Sequence, residues 1–315
     1  MKKTVGIHHI TAVAGHPQEN LDFYTKVLGM RIIKQTVNFG DPNTYHLYFG
    51  DEVGRPGTLM TTFPSPQARK GRIGGGQVGV TSFAVPVGGL DYWKERLQQY
   101  DVSIMTGERL GDRLLQFDDP HGLHLEIVER KTEQRSGWTV VGLDGEYAIT
   151  GIAGAVLYST APEKTNTLLE QGMGLIKVAE EKGWVRFQAE SPNGQWIDVK
   201  REALPVGSMG AGVVHHIALR AADEAEQQEW IDHLHQYGIT PTEVRNRLYF
   251  QSIYFREEGG ILFEIATDGP GFTVDEERKH LGQSLKLPPW LEPERENIES
   301  GLLPLQVPKA KGGKG

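Results

Sequence analysis

Two adjacent histidines followed by isoleucine occur twice in this chain, and they mark an internal repeat. The first pair is His8 and His9, and the second is His215 and His216. Apolar and polar residues alternate around both pairs, which is typical of a β-strand whose successive side chains point to opposite faces. We therefore expect one histidine of each pair to face a common interior and its neighbour to point away.

The segments after these strands repeat as well. The spacing of apolar residues predicts helices over residues 17–28, around 90–97, over 162–171 and over 222–237. Strands separated by Gly and Pro turns follow each helix, so every unit contains a strand, a helix and three strands. The sequence therefore predicts an α+β fold of four βαβββ modules, at residues 5–65, 78–130, 149–202 and 212–268.

Alignment of the modules places two sets of residues at equivalent positions. The strand before each helix contributes His9, Ser82, Gly154 and His216. The last strand of each module contributes Thr61, Glu126, Asp198 and Glu264. If module 1 pairs with module 4, His9, His216 and Glu264 share one cavity, and modules 2 and 3 form a cavity without imidazole. Sequential pairing would instead group Asp198 with His216 and Glu264 and leave His9 unexplained, so we favour the first arrangement.

Glu264 lies in an apolar strand, where an unpaired buried carboxylate is costly unless it binds a metal or meets a partner. The chain has no cysteine, which leaves nitrogen and oxygen as metal ligands. Two imidazoles and one carboxylate are the minimum set for an open non-haem site, and they suit Fe(II), Mn(II) or Zn(II). The residues predict a metal site at His9, His216 and Glu264.

Composition narrows the function classes. A chain of 315 residues with 38% hydrophobic residues is long enough for two globular domains, which we predict at residues 5–130 and 149–268. The formal net charge is −8, and Lys and Arg are scattered, so we expect no nucleic-acid partner. No segment approaches the roughly 20 apolar residues that span a bilayer. No signal-peptide core precedes the first strand, and we expect a cytoplasmic protein without a membrane partner.

The C-terminal portion leaves the repeat at about residue 270 and is rich in proline. We predict an extended arm over residues 270–307 that packs on the domains. Residues 308–315 are expected to be a disordered tail.

The repeated strand–helix–three-strand unit resembles the modules of the vicinal oxygen chelate superfamily, which includes glyoxalases, bleomycin resistance proteins and extradiol dioxygenases. In that superfamily two modules join into a curved sheet around a metal, with ligands from the first and last strands of a module. The resemblance implies two vicinal oxygen chelate domains, with modules 1 and 4 paired around a metal and modules 2 and 3 paired without one.

Within this superfamily the chain is most similar to the hydroquinone ring-cleaving dioxygenases, such as the methylhydroquinone dioxygenases of Gram-positive bacteria. The matching strings are at residues 6–11, 34–49, 119–126, 214–218, 249–256, 262–268 and 301–304. The resemblance implies that His9, His216 and Glu264 are iron ligands. It also implies roles beside the ligands or the substrate for His8, Thr11, His215, Arg247 and Tyr254.

These supporting residues suit the expected chemistry. Arg247 is a permanent cation that can stabilise developing negative charge, and Tyr254 can donate a hydrogen bond to bound oxygen or orient the ring. His8 and His215 can support ligands or shuttle protons. Asn246 departs from the family pattern, which has an acidic residue before the arginine. His46, on the predicted strand 45–49, could line the cavity from module 1, but we favour a core or surface role.

The resemblance implies an Fe(II)-dependent dioxygenase that inserts both atoms of O2 into a hydroquinone-type or catechol-type diol, in aromatic catabolism or quinone detoxification. Two alternatives stay open. A glyoxalase-like isomerase needs four protein ligands, commonly two carboxylates, and Thr61 supplies none. A non-enzymatic binding protein of the superfamily typically lacks the complete set of ligands. Mn(II) or Zn(II) is compatible with the purified protein, and a homo-oligomer is compatible with the sequence.

Overall fold

The four predicted modules each fold as a strand, a helix and three further strands in the computed structural model, which describes residues 2–131, 138, 140, 142–190 and 195–308. Module 1 contains β1 (Ile7–Ala14), α1 (Pro17–Asp22), β2 (Arg31–Asn38), β3 (Asp41–Gly50) and β4 (Leu59–Pro64). Module 2 contains β5 (Gln77–Pro86), α2 (Gly89–Gln99), β6 (Met105–Arg109), β7 (Asp112–Asp118) and β8 (His124–Arg130). Module 3 contains β9 (Gly151–Tyr158), α3 (Pro162–Thr167), β10 (Ile176–Glu181), β11 (Trp184–Gln188) and β12 (Trp196–Lys200). Module 4 contains β13 (Val213–Ala221), α4 (Glu224–Gln236), β14 (Arg245–Asn246), β15 (Phe250–Arg256) and β16 (Leu262–Pro270).

The helices confirm the predicted positions, with one difference in winding. α1 and α3 each continue into a π-helical turn, over Phe23–Val27 and Leu168–Gly172. The apolar spacing indicates where a helix lies but does not distinguish these two windings. Within the described ranges, no helix combines the length and apolar character needed to cross a bilayer.

The strands of the described residues form two eight-stranded sheets. The first sheet has the order β14-β15-β16-β13-β1-β4-β3-β2, and the second has the order β10-β11-β12-β9-β5-β8-β7-β6. In both, the first strands of two modules pair antiparallel, as β1 with β13 and β5 with β9. Each of these strands runs parallel to the last strand of its own module. First and last strands therefore lie together at the centre of each sheet.

The predicted α+β class is confirmed. The first sheet takes its strands from residues 7–64 and 213–270, and the second takes its strands from residues 77–130 and 151–200. The division into domains at residues 5–130 and 149–268 stays a prediction.

Alternation along the central strands separates the core from the functional face. Ile10 and Ile217 are fully buried in the main apolar cluster, which also contains Trp230 of α4. The preceding residues, His9 and His216, point to the other face of the same strands, because side chains alternate. Packing of the helices against one face thus leaves the other available for polar side chains.

The predicted arm packs on module 1. It contains 3-10 turns at Phe272–Val274, Arg278–His280 and Glu292–Glu294, and the helix α5 (Arg295–Gly301), so it is not extended throughout. The fully buried Lys34 of β2 pairs with Asp275, at 2.6 Å, and with Glu276. Ile298 and Leu302 of the arm join the main core. The predicted disordered segment, 308–315, lies outside the described residues except for Pro308.

Buried charges occupy the centre of the second sheet. The guanidinium of Arg109 donates to Glu126 Oε2 at 3.0 Å and to Asp198 Oδ2 at 2.7 Å. Ser82 donates to Glu126 as well, and Arg186 donates to both oxygens of Asp198 at 2.6 and 2.8 Å. The sequence predicts that the cavity of modules 2 and 3 lacks imidazole. Arginine side chains fill this cavity and neutralise its carboxylates.

Replacement of Arg109 tests this interpretation. We expect Arg109→Ala to lower the free energy of unfolding by about 3–5 kcal/mol, because it leaves Glu126 and Asp198 buried without this partner. Urea denaturation measures the change. Arg113→Ala, at an exposed position of β7, is the matched control and changes stability by less than about 0.5 kcal/mol. Equal effects of the two substitutions would contradict the assigned role.

Candidate metal centre

Three potential ligand atoms converge at the centre of the first sheet. His9 Nε2 lies 3.2 Å from His216 Nε2 and 3.4 Å from Glu264 Oε2. His216 Nε2 lies 2.8 Å from the same carboxylate oxygen. All three side chains are buried, and among the described residues they form the one group of three or more histidines and carboxylates compact enough to hold a metal ion. The structure thus brings together the three predicted ligands, from β1, β13 and β16.

Electrostatics keep these groups in the forms that bind metals. Burial by itself would raise the pKa of Glu264, but the adjacent His9 and His216 hold that pKa well below its ordinary value. Burial lowers the pKa of His216, although Glu264 opposes this shift. The site therefore contains an ionised carboxylate beside a neutral imidazole at neutral pH.

Two β-bulges explain the histidine pairs. In the pairing of β1 with β13, Ile7 lies opposite Leu219 and His9 lies opposite Ala218, so His8 is the extra residue on β1. Further along, His215 is the extra residue on β13, between Val214 and His216. A bulge changes the direction of the local side chains. The prediction that His215 points away from the site was wrong, because it assumed a regular strand and His215 lines the cavity beside the ligands. His8 contacts the Nδ1 side of His9, away from the converging Nε2 atoms.

The bulged histidines contact the predicted ligands. His8 Nδ1 lies 2.9 Å from His9 Nδ1, and His215 Nδ1 lies 2.8 Å from His216 Nδ1. Burial lowers the pKa of His8 well below its ordinary value and lowers that of His215 to about 3, so both rings are neutral. If each accepts the Nδ1 proton of its neighbour, the lone pairs of His9 Nε2 and His216 Nε2 face Glu264.

This arrangement fits a divalent cation. Glu264 Oε1 accepts a hydrogen bond from Ser252 at 2.5 Å, whereas the buried Oε2 has no hydrogen-bond donor among the described residues. Two imidazole lone pairs and one carboxylate oxygen at such short distances repel each other unless a positive charge lies between them. Two nitrogen ligands and one oxygen ligand suit Fe(II), Mn(II) or Zn(II).

A cavity of about 580 Å³ opens onto two of the predicted ligands, His9 and His216. Its wall includes His46, Tyr48, Phe63, His215, Arg247 and Tyr254. Arg247 Nε donates to the Tyr254 hydroxyl at 3.2 Å, and Tyr254 lies directly across from Glu264 on the neighbouring strand. Burial raises the pKa of Tyr254, so it remains a neutral phenol. The structure therefore places both predicted residues, Arg247 and Tyr254, at the cavity.

Thr11 lies beside the ligands rather than on the cavity wall. It is paired with His216 across β1 and β13, and its side chain is fully buried. Its hydroxyl lies 2.7 Å from the Thr61 hydroxyl, which also contacts His46 Nε2 at 3.0 Å. Thr11 is thus linked to the cavity wall by two successive contacts, from Thr11 to Thr61 and from Thr61 to His46.

Sequence reasoning missed several residues of this site. His46 lines the cavity, which was the less favoured of its two predicted positions, and Tyr48, two residues later on the same face of β3, lines it as well. Phe250 packs 5.2 Å from the rings of His8 and His9. The alternation of β3 was the available signal, because His46 and Tyr48 share a face with Thr61 once β3 and β4 pair.

This chain is similar to known proteins over most of its length. Residues 6–127 and 152–265 match the model of the Glyoxalase/Bleomycin resistance protein/Dioxygenase superfamily. The chain is 54% identical to the Bacillus subtilis protein named "Putative ring-cleaving dioxygenase MhqO", over 97% of this chain and 98% of that protein. It is 34% identical to the "Chlorohydroquinone/hydroquinone 1,2-dioxygenase" of Sphingobium indicum, over 92% of this chain and 94% of that protein.

A solved structure has the same fold as this chain. A crystal structure described as a "putative dioxygenase from Bacillus subtilis" superposes with a TM-score of 0.96 at 52% identity, covering 98% of this chain and 100% of the other. The family model and these relatives extend over most of the chain, including both strands with histidine pairs. This chain therefore belongs to the Glyoxalase/Bleomycin resistance protein/Dioxygenase superfamily.

Proposed function

We propose that this protein is an Fe(II)-dependent dioxygenase that cleaves the ring of a hydroquinone-type aromatic diol and inserts both atoms of O2. The observation that carries the proposal is the convergence of ligand atoms from His9, His216 and Glu264. His9 and His216 also line a cavity with aromatic walls. The relatives named as ring-cleaving and hydroquinone dioxygenases support the same reaction class.

The donor set matches the needs of this reaction. When bound, Fe(II) would keep up to three coordination positions open, where a diol oxygen and O2 can meet. A cavity of about 580 Å³ accommodates a single substituted ring. Phe63 and Phe250 provide apolar contacts for the ring faces.

Arg247 and Tyr254 act on the substrate in this proposal. The guanidinium of Arg247 favours a negatively charged oxygen in the cavity, and it holds the Tyr254 hydroxyl through a hydrogen bond. Tyr254 can then donate its own proton to a substrate oxygen. If His215 accepts at Nδ1 from His216, its Nε2 carries the ring proton and can donate a hydrogen bond to a ligand in the cavity.

The residues of the site favour a ring-cleaving dioxygenase over a glyoxalase-like isomerase and over a non-enzymatic binding protein. A glyoxalase-like site needs another carboxylate, but the equivalent position holds Thr61, whose hydroxyl contacts Thr11 and His46. No further carboxylate among the described residues joins the group of ligands. A binding protein without catalysis has no need of three converging ligands, and this chain retains all of them.

Substitution of each ligand tests the proposal directly. After anaerobic reconstitution with Fe(II), we expect oxygen uptake with hydroquinone or methylhydroquinone. His9→Ala, His216→Ala and Glu264→Ala should each lower kcat/KM by at least about 100-fold and reduce the bound iron. His235→Ala and Glu258→Ala, at exposed positions, are the matched controls and should retain activity. If the wild-type protein consumes no oxygen with any dihydroxybenzene, the proposal is wrong.

The bulged histidines give a separate prediction about metal affinity. We expect His8→Ala and His215→Ala each to weaken Fe(II) binding by about 10- to 100-fold, because each removes the partner of a ligand's Nδ1. Competition with a coloured chelator under anaerobic conditions measures the affinity. His235→Ala again serves as the control, and an unchanged affinity in both bulge variants would show that these contacts do not support the ligands.

A further inference from the structure

A line of hydrogen-bonded side chains leads away from the predicted ligands along the first sheet. The Tyr48 hydroxyl lies 3.0 Å from His46 Nδ1, and His46 Nε2 lies 3.0 Å from the Thr61 hydroxyl. Thr61 in turn contacts the hydroxyl of Thr11 at 2.7 Å. The proposed reaction does not use this line, yet Tyr48 and His46 both face the cavity.

The strand register shows where the line runs. Tyr48 lies opposite Thr61, Thr61 lies opposite Thr11, and Thr11 lies opposite His216. Adjacent strands are about 4.8 Å apart, so Tyr48 begins about 14 Å from His216 along the sheet. Tyr48 therefore lines the cavity from β3, whereas Tyr254 lines it from β15, on the other side of the strands that carry the predicted ligands.

The Tyr48 side chain is held firmly in place. Its ring packs 4.1 Å from the His46 ring and 5.2 Å from Phe272 of the arm. His46 is itself packed 4.4 Å from Phe63. A hydroxyl fixed in this way loses little conformational freedom when a ligand binds, so most of its hydrogen-bond energy is available for recognition.

Tyr48 also retains hydrogen-bonding capacity. A phenol both donates and accepts, and the contact with His46 uses only part of this capacity. Burial raises the pKa of Tyr48 well above its ordinary value, although Arg247 opposes the shift, so the group is a neutral phenol. It can hydrogen-bond to a neutral hydroxyl in the cavity.

The cavity wall therefore has two phenols, one on either side of the strands that carry the predicted ligands. Tyr254 is the cross-strand neighbour of Glu264, whereas Tyr48 lies on β3, beyond β1 and β4. A hydroquinone carries its two hydroxyls at opposite ends of the ring, and a catechol carries them side by side. Two polar contacts on different strands match the first pattern, whereas a catechol bound beside Tyr254 offers no hydroxyl to Tyr48.

Building on the proposed function, we infer that Tyr48 forms a hydrogen bond with the diol hydroxyl farthest from the metal ligands. It thereby selects para-diols over catechols. His46 is a positioning residue, because it acts on the substrate only through its contact with the Tyr48 hydroxyl.

The contribution of this hydrogen bond can be measured by comparing the binding of two small molecules that differ in one hydroxyl, under conditions without catalysis. The probes are hydroquinone and 4-methylphenol, in which a methyl group replaces the second hydroxyl, and binding to the Zn(II)-loaded protein is measured anaerobically by calorimetry. We expect the wild-type protein to bind hydroquinone about five- to tenfold more tightly. In Tyr48→Phe the ratio of the two dissociation constants should fall to about one.

Two further variants complete the test. Tyr45→Phe is the matched control on the same strand, since the Tyr45 hydroxyl donates to Leu303 O outside the cavity; the ratio should stay as in the wild type. His46→Phe should lower the ratio, and His46→Gln, which keeps a polar contact for the Tyr48 hydroxyl, should partly restore it. A purely structural role of His46 would change both dissociation constants equally.

The outcomes separate this inference from the proposed function. With Fe(II), Tyr48→Phe should lower kcat/KM for hydroquinone about tenfold and leave that for catechol within about twofold. If the wild-type protein consumes oxygen with hydroquinone but Tyr48→Phe keeps the wild-type ratio of dissociation constants, the inference alone fails. If neither probe binds the wild-type protein and no diol supports oxygen uptake, the inference and the proposed function both fail.

Discussion

The antiparallel pairing of β1 with β13 is the interaction on which the rest of this structure depends. It joins the first and last modules into one sheet and brings together His9 and His216, which are 207 residues apart in the chain. The parallel pairing of β13 with β16 then adds Glu264. The same junction contains two bulges, whose extra residues are His8 and His215. Each bulge turns a second imidazole toward the Nδ1 atom of a predicted ligand.

The two sheets show how one topology accommodates different buried charges. In both, a glutamate on the last strand of a module lies fully buried at the centre, as Glu264 or Glu126. A buried carboxylate requires a compensating charge or hydrogen-bond donors. The second sheet supplies Arg109 and Ser82 for Glu126. The first sheet leaves one oxygen of Glu264 facing two imidazoles, which is an arrangement suited to a cation.

The C-terminal arm connects the core of the protein to the cavity wall. Lys34, buried in β2, pairs with Asp275 and Glu276 and holds the start of the arm against module 1. Phe272 lies in the same segment and packs against Tyr48. A part of the chain outside the repeated modules therefore supports a side chain that faces the cavity. Packing far from the ligands contributes to the shape of the site.

The sequence by itself determined the repeated modules, their helices and the three predicted ligands. Apolar periodicity is local, and a buried carboxylate beside duplicated histidines leaves few chemical explanations. Only the tertiary structure decided the direction of His8 and His215, because a bulge depends on the register between strands that are distant in the chain. It also decided that His46 and Tyr48 face the cavity. Alternation divides a strand into two faces, but it does not say which face packs on the core and which faces the cavity. Burial, register and long-range packing choose between those faces, and none of them is a local property of the sequence.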